Sequence, residues 1–518
     1  MLNKIPTWLL LLLPALCFGL AWPPVGVFPL LFVGLIPLFE LNRRLSNSKF
    51  WSFSLLMYAS MFAWNLALTW WVWNSTPSGA ITMLVANSLL MTLPWLLTRY
   101  LGKKIGAGRA EIAFIMLWLC FEFIHHRWDL SWPWLTLGNG FANATWMVQW
   151  YDITGTLGGS AWILAVNLLF FRALQLRQWK PALVSFALLI GFAAVLSVIA
   201  AASVSKARHK TIEAVALQPS FDPWTEKFTR DPSDMVREML QLSSKVIDSN
   251  TALLVWPETA LVDNIETSAA ANDYQVAQLQ RLLLTYPQLK ILTGADMQRV
   301  YYNCTKRPTG TARPTSSASI WWDSYNSALY LDAEKKPKFY HKSKLVPGTE
   351  QMPLTEWFPA INDLAVSLDE NSMTGSLGKS DSVVLFGTSK ITPAICYESI
   401  YGDHLAAFAK QGAGLIAIIT NDAWWGKTPG YLQHLSYAKL RAIEQRKWVV
   451  RSANTGTSCF IDPWGKLYQP SEWFAKTAIK QKVELRFENT WYVILGDRII
   501  LLCLLIVLGF WLWRSKPA

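Results

Sequence analysis

The chain has 518 residues, enough for more than one domain, and is 52% hydrophobic but only 16% charged, where a soluble protein carries about 25%. With 29 tryptophans, that balance excludes an ordinary soluble chain and points to lipid, because Trp gathers where a membrane meets water. A net charge of +12 would suggest nucleic acid in a soluble protein, but much of the excess lies in short loops between apolar runs, so nucleic acid is set aside as a partner.

Lys4 and the stretch TWLLLLLPALCFGLAW read as a retained first helix rather than a cleaved leader. Leu16 precedes Cys17 where a lipoprotein signal wants a small residue, and a second apolar run follows at once. Runs long enough to cross hydrocarbon of about 30 Å occur near 7–22, 25–41, 51–73, 79–98, 110–126, 157–176, 181–203 and 491–513. Eight spans put every basic loop on one side: Arg43, Arg44 and Lys49; Arg99, Lys103, Lys104 and Arg109; Arg172, Arg177 and Lys180; Arg514 and Lys516. The opposite loops PPVG and NSTPSG are uncharged, so the basic side is expected in the cytoplasm and residues 204–490 outside. Glu122 falls within a span, where an acid is either functional or paired, here with Arg127 or by a bundle hydrogen bond. His125 and His126 read as interfacial.

The expected organisation is a transmembrane bundle over 1–205 with about seven helices, an α/β domain over 210–487, a last span at 491–513 and a cytoplasmic tail at 514–518. Within the α/β domain, strand-like runs are IEAVAL (212–217), ALLVW (252–256), KILTG (290–294), SALYL (327–331), ITPAIC (391–396), GLIAIIT (414–420), WVVRSA (448–453) and SCFID (458–462). Helical periodicity appears near 231–248, 270–285 and 430–446, which with those strands indicates a layered α/β fold. Residues 303–319 read as a polar surface loop. Cys17, Cys120 and Cys503 fall in apolar runs, as small buried hydrophobes do. Cys304, Cys396 and Cys459 fall in the α/β part, and whether Cys304 and Cys459 pair is open. No CxxC or Cys/His cluster occurs, so no metal site is expected.

Three residues at strand ends carry the chemistry. Glu258 follows LLVWP, Lys342 lies in FYHKSKLVPGTE, and Cys396 ends ITPAIC and precedes Tyr397 and Glu398. A cysteine beside a lysine and a carboxylate is a competent nucleophile: the carboxylate takes the thiol proton and the ammonium steadies thiolate and oxyanion. VWPET, YHKSKLVPGTE and AICYES, in that order, closely resemble the three signature segments of the nitrilase superfamily. TNDAWWG (420–426), the helix through His434 to Glu444, and VVRSANTGTSCFIDPWGK (449–466) resemble the rest of that domain. The resemblance implies an α-β-β-α sandwich and a Glu258–Lys342–Cys396 triad for acyl transfer.

Such a domain between seven spans and an eighth is similar to the apolipoprotein N-acyltransferase family. FGLAWPP (18–24), Glu122 with Arg127, SWPWLTLG (131–138) and DITGTLGGS (152–160) resemble that family's membrane segments. This implies a multi-pass protein of the bacterial inner membrane with its catalytic domain facing the periplasm. It also implies a phospholipid acyl donor, phosphatidylethanolamine, a diacylglyceryl apolipoprotein acceptor, a thioester on Cys396, and no cofactor. Glu350, Glu398 and Tyr397 take auxiliary roles, although LVPGTE stands where many members have LVPFGE. Asn421, Trp424 and Trp425 are expected at the substrate, and Trp224 or Phe228 fills the position of a family Trp. Trp321–Trp322 and Trp357–Phe358 are further aromatic pairs that touch either lipid or core. The competing readings are a membrane-tethered amidase that transfers acyl groups to water, a transporter with an outer binding domain, and an inactive scaffold.

Overall fold

A computed structural model of the protein describes residues 4–204, 209–227, 229–317, 319–334, 336–353, 377–380 and 382–498, with positions 505 and 509 and without the side chain at 182. The chain divides into two compact units: Met1–Ser205 with Thr428–Glu444 and Thr490–Ala518, and Lys206–Lys427 with Gln445–Asn489.

The first unit is helical: α1 (Thr7–Ala21), α2 (Ile36–Arg44), α3 (Phe50–Thr69), α4 (Pro77–Ile105), α5 (Ala107–His125), α6 (Tyr151–Leu176) and α7 (Trp179–Ser203). Among the described residues four stretches are long and apolar enough to cross a membrane: Phe50–Asn74, Pro77–Ile105, Tyr151–Leu176 and Trp179–Ser203. Thr7–Ala21 is a shorter apolar helix. The 25–41 run does not form one continuous helix. It breaks into a 3-10 turn, Phe28–Phe32, and the nine-residue α2, because Pro29 and Pro37 each start a helix and Gly34 separates them. Nine residues rise only about 14 Å, half the hydrocarbon thickness. The 110–126 run does form α5, but Arg109, Glu111 and Glu122 lower its apolar character and it is not among the four. Most of 491–513 lies outside the described residues.

Glu122 takes hydrogen bonds within the bundle. Its Oε1 accepts from Trp118 Nε1 at 3.0 Å and from the Leu137 N–H at 2.8 Å. Arg127 pairs instead with Asp497, at 2.6 Å. Of the two partnerships expected for Glu122, the hydrogen-bonded one forms.

Among the described residues the second unit contains thirteen strands: β1 (Thr211–Gln218), β2 (Thr251–Val255), β3 (Leu261–Glu266), β4 (Lys290–Tyr301), β5 (Arg313–Pro314), β6 (Trp321–Leu331), β7 (Lys338–His341), β8 (Ile391–Ile395), β9 (Leu415–Thr420), β10 (Val449–Ala453), β11 (Cys459–Ile461), β12 (Leu467–Tyr468) and β13 (Thr477–Glu484). They form an eight-stranded sheet with the path β13-β1-β2-β4-β6-β5, to which β3 and β7 add, and a five-stranded sheet ordered β12-β11-β10-β9-β8. The centre of each sheet is parallel, β1-β2-β4 and β8-β9-β10. Strands of that kind are covered on both faces, hence their unbroken apolar runs. Ala214, Ala216, Leu253, Val255 and Leu292 of the larger sheet share one core with Ile391, Ile395, Ala417, Ile419 and Val450 of the smaller. Helices α8 (Pro232–Ser244) and α9 (Tyr274–Thr285) cover the larger sheet's other face through Met235, Met239, Val276, Leu279 and Leu283. Each opens on an aspartate cap, Asp231 and Asp273, which satisfies first-turn N–H groups. Helix α10 (Gly402–Lys410) follows β8.

Two helices return to the first unit, α11 (Pro429–Gln445) and α12 (Trp491–Leu495). The sequence places α11 among the elements of the α/β domain, yet it packs in the bundle. Tyr437 accepts from Trp22 Nε1 at 2.8 Å, Gln433 from Trp134 Nε1 at 2.6 Å, and Glu444 from the Thr156 N–H at 3.2 Å.

Candidate active site

In parallel sheets the residues just past the carboxyl ends of the strands line one crevice. Glu258 stands past β2, Cys396 past β8 and Asn421 past β9; Lys342 follows the antiparallel β7, where its N–H donates to the Asn326 carbonyl of β6 at 2.8 Å. Lys342 is 1% exposed and bridges two carboxylates, Glu258 at 3.2 Å and Glu350 at 2.7 Å. Glu258, 5% exposed, also accepts from Asn326 Nδ2 at 2.7 Å on Oε1 and from the Asn421 N–H at 3.0 Å on Oε2. Each buried charge therefore has a partner of opposite sign and hydrogen bonds, without which its burial would cost several kcal/mol. Burial opposes the charge on Lys342, but Glu350 and Glu258 outweigh it and hold the ammonium well above its ordinary range. Cys396 is buried, and burial pushes its thiol well above the ordinary range; Glu258 adds to the rise and Lys342 opposes it. The resting residue is a thiol, and a thiolate forms only as a base takes its proton. Cys396 also has φ +49°, a strained conformation for a residue with a Cβ and one found where side chains are presented for function.

Residues 211–491 match the carbon–nitrogen hydrolase family, more than half of the chain. The chain belongs to that family. Residues 14–169 match the N-terminal domain of apolipoprotein N-acyltransferases. Among curated relatives, the apolipoprotein N-acyltransferase of Chlorobaculum tepidum is 29% identical over 95% of this chain and 93% of its own. That of Azotobacter vinelandii is 26% identical over 92% and 90%, and apolipoprotein N-acyltransferase 1 of Treponema denticola 26% over 96% and 94%. The resemblance read from VWPET, YHKSKLVPGTE and AICYES thus holds over 211–491, and these relatives match nearly the whole chain.

In this hydrolase fold Glu350 and Glu398 do different things. Glu350 touches Lys342 directly and caps its own loop, accepting from the Val346 N–H at 2.9 Å. Glu398 does not contact Lys342. It clamps the nucleophile's turn to the lysine's loop: Oε2 accepts from the Ile395 N–H at 2.9 Å, and Oε1 from Tyr340 Oη at 2.6 Å and the Ser343 N–H at 2.7 Å. Burial alone would raise this carboxyl; hydrogen bonds from His404, Tyr340 and Ile395 prevail and bring it down to about 2. A folded-state value below the unfolded one, about 4.3, means the clamp stabilises fully above that pH and its contribution drains away as pH falls through about 2. Glu398→Gln sets an amide N–H against these donors and is expected to cost about 3 kcal/mol, read as a lowered thermal midpoint at neutral pH. An unchanged midpoint would refute the clamp.

Of the other expected residues, Tyr397 is buried with its ring edge-on to Tyr401 at 5.3 Å. Trp224 is 58% exposed and meets Trp424 edge to face at 5.0 Å, which joins the β1 loop to the turn after Asn421. Trp425, in the same 3-10 turn as Trp424, is half-buried. Phe228 and the Trp357–Phe358 pair lie outside the described residues. Trp321 and Trp322 are engaged elsewhere, Trp321 with the Cys304 carbonyl at 3.0 Å and Trp322 under the Arg313 guanidinium at 5.0 Å. Cys304 and Cys459 are not joined in a disulfide. No group of side chains suited to a metal ion occurs among the described residues. Sequence reading missed Asn326, which binds both carboxylates, and Lys227, which binds the Glu258 main-chain carbonyl. Asn326 sits inside a strand and carries no motif signal; Lys227 lies in PWTEKF, where only the aromatic residues drew notice.

Proposed function

We propose that the chain N-acylates lipoproteins through a Cys396 thioester. The observation that carries this reading is the buried cluster in which one ammonium, Lys342, is shared by Glu258 and Glu350 beside a strained, buried thiol. Glu258 takes the Cys396 proton, and the thiolate attacks an ester carbonyl of a membrane phospholipid, taken as phosphatidylethanolamine. The Lys342 ammonium faces the oxyanion. The ester C–O bond breaks, Glu258 returns its proton to the leaving oxygen, and a lysophospholipid departs from a thioester. The α-amino group of an S-diacylglyceryl-cysteine then attacks, Glu258 accepts its proton, and the thiolate leaves as the amide forms. Trp224 and Trp424 form an aromatic wall for the acyl chain. In this reading the protein is a multi-pass protein of the bacterial inner membrane with its catalytic domain facing the periplasm, an orientation that the basic loops support.

The test is direct. Full-length protein is incubated with a phospholipid of defined acyl chain, and the Cys396 peptide is weighed by mass spectrometry. An acyl increment on Cys396 that disappears when a diacylated peptide is added is the expected result. Absence of the increment, or free fatty acid released without peptide acylation, overturns it; the second outcome would favour the amidase.

A further inference from the structure

Lys227 has no part in the reaction above, yet it lies against its base. It follows β1 and is only 3% exposed, where lysines almost never go without a partner. Its Nζ donates to the main-chain carbonyl of Glu258 at 3.0 Å and to the Thr259 hydroxyl. The turn it grips is held in a demanding shape: Thr259 has φ +44°, and β4 closes on the turn at Gly294. Around the ammonium, Phe221, Met235, Met239, Ala260 and Val262 line a mostly apolar pocket that also receives the Glu258 side.

A carbonyl and a hydroxyl could be satisfied by a neutral amide. What a buried ammonium adds is charge. Glu258 and Glu350 share the single ammonium of Lys342, so that trio carries one net negative charge. A Cys396 thiolate would make it two within a buried site. The groups facing Lys227 are Glu258 past β2, Asp296 on β4 and Cys396 past β8, with Asp263 of β3 beside Asp296. Asp422 also faces Cys396, but it is neutralised by Arg451 at 2.6 Å. Lys227, anchored on the Glu258 carbonyl, adds a buried positive charge on the far side of the base, and burial brings it down to about 8. Burial lifts Asp296 to about 6, so this carboxylate is ionised at neutral pH and helps keep the lysine charged.

We infer that Lys227 is a positioning residue: it holds the backbone of Glu258 in place and its charge supports the Cys396 thiolate across the site. This rests on the triad reading, so the experiment uses a probe that needs no lipid substrate. Alkylation of Cys396 by iodoacetamide is followed against pH in the full-length protein, with thermal midpoints taken alongside. Lys227→Met keeps the aliphatic stem and removes the charge; Lys227→Arg keeps a charge. The methionine variant is expected to shift the alkylation profile up by about one pH unit, roughly tenfold slower at neutral pH, with the arginine variant between it and the parent. A profile that superimposes on the parent overturns the proposal, even if acyl transfer falls. Should the methionine variant not fold, Lys227→Gln replaces it. Failure of every variant to fold assigns the lysine to structure alone and overturns the proposal as well. Failure of the acyl-transfer reading would leave the alkylation profile untouched, so the two can be told apart.

Discussion

Cys396→Ala is expected to lower acyl transfer by about 10⁴-fold or more, to the level of the uncatalysed reaction, because the alanine has no thiol to carry the acyl group. Cys396→Ser should do no better. A hydroxyl is far less acidic than a thiol, so the serine gives up its proton much less readily than the cysteine and is the poorer nucleophile. The fold should survive both changes, since the alanine keeps the same left-handed backbone and removes only the sulfur from a buried position. Glu258→Gln should cost about 10³- to 10⁴-fold and leave Lys342 paired with Glu350. Lys342→Met is different in kind. It leaves the buried Glu258 and the half-buried Glu350 without their cation, which should cost about 3–5 kcal/mol of stability besides activity. Single-turnover acylation with a labelled phospholipid, beside thermal unfolding, separates the two effects. A double change, Cys396→Ala with Glu258→Gln, should be no slower than the first alone, because the groups act as a unit. Residual turnover by Cys396→Ala within tenfold of the parent would overturn the assignment of the nucleophile.

The parts of the fold legible in the sequence are those whose burial is two-sided. The parallel strands β1, β2, β8, β9 and β10 are apolar on both faces, so IEAVAL, ALLVW and GLIAIIT stand out without any periodicity. Strand β13, TAIKQKVE, lies half-exposed at the sheet edge, and its lysines hide it from the same test. Strand β3 bends at Asp263 and Asn264, both with positive φ, and LVDNIE offers no unbroken apolar run to mark it. Hydropathy averages over 25–41 and does not register that Pro29, Gly34 and Pro37 divide it. Glu258, Lys342 and Cys396 are legible because each follows a strand within a family word. Asn326 and Lys227 are not: 68 and 31 residues separate them from the glutamate they serve, and only the closed sheet brings them to it.

Gly294→Ala tests that last point, because it touches no substrate and still reaches the base. On β4 the glycine donates its N–H to the Pro257 carbonyl at 3.0 Å. A Cβ built there would lie 2.6 Å from both the Glu258 Cα and the Pro257 carbonyl oxygen, and closer still to the Thr259 nitrogen. These are backbone atoms, so no rotamer relieves the overlap and the turn itself must move. Lys227 grips that turn from the other side, and Asn326 and Asn421 fix the Glu258 carboxylate at its far end. Pushed at the Cα and held at the carboxylate, Glu258 loses its line to the thiol. The expected result is a loss of about 2–3 kcal/mol in stability and a fall of about 10²-fold in Cys396 acylation, since a displacement near 1 Å is enough for that. Gly310→Ala serves as the control, because a Cβ there meets nothing within 4 Å. Parent-like acylation by the Gly294 variant would mean that the turn adapts freely, and the reading of this turn as a rigid mount for the base would fail.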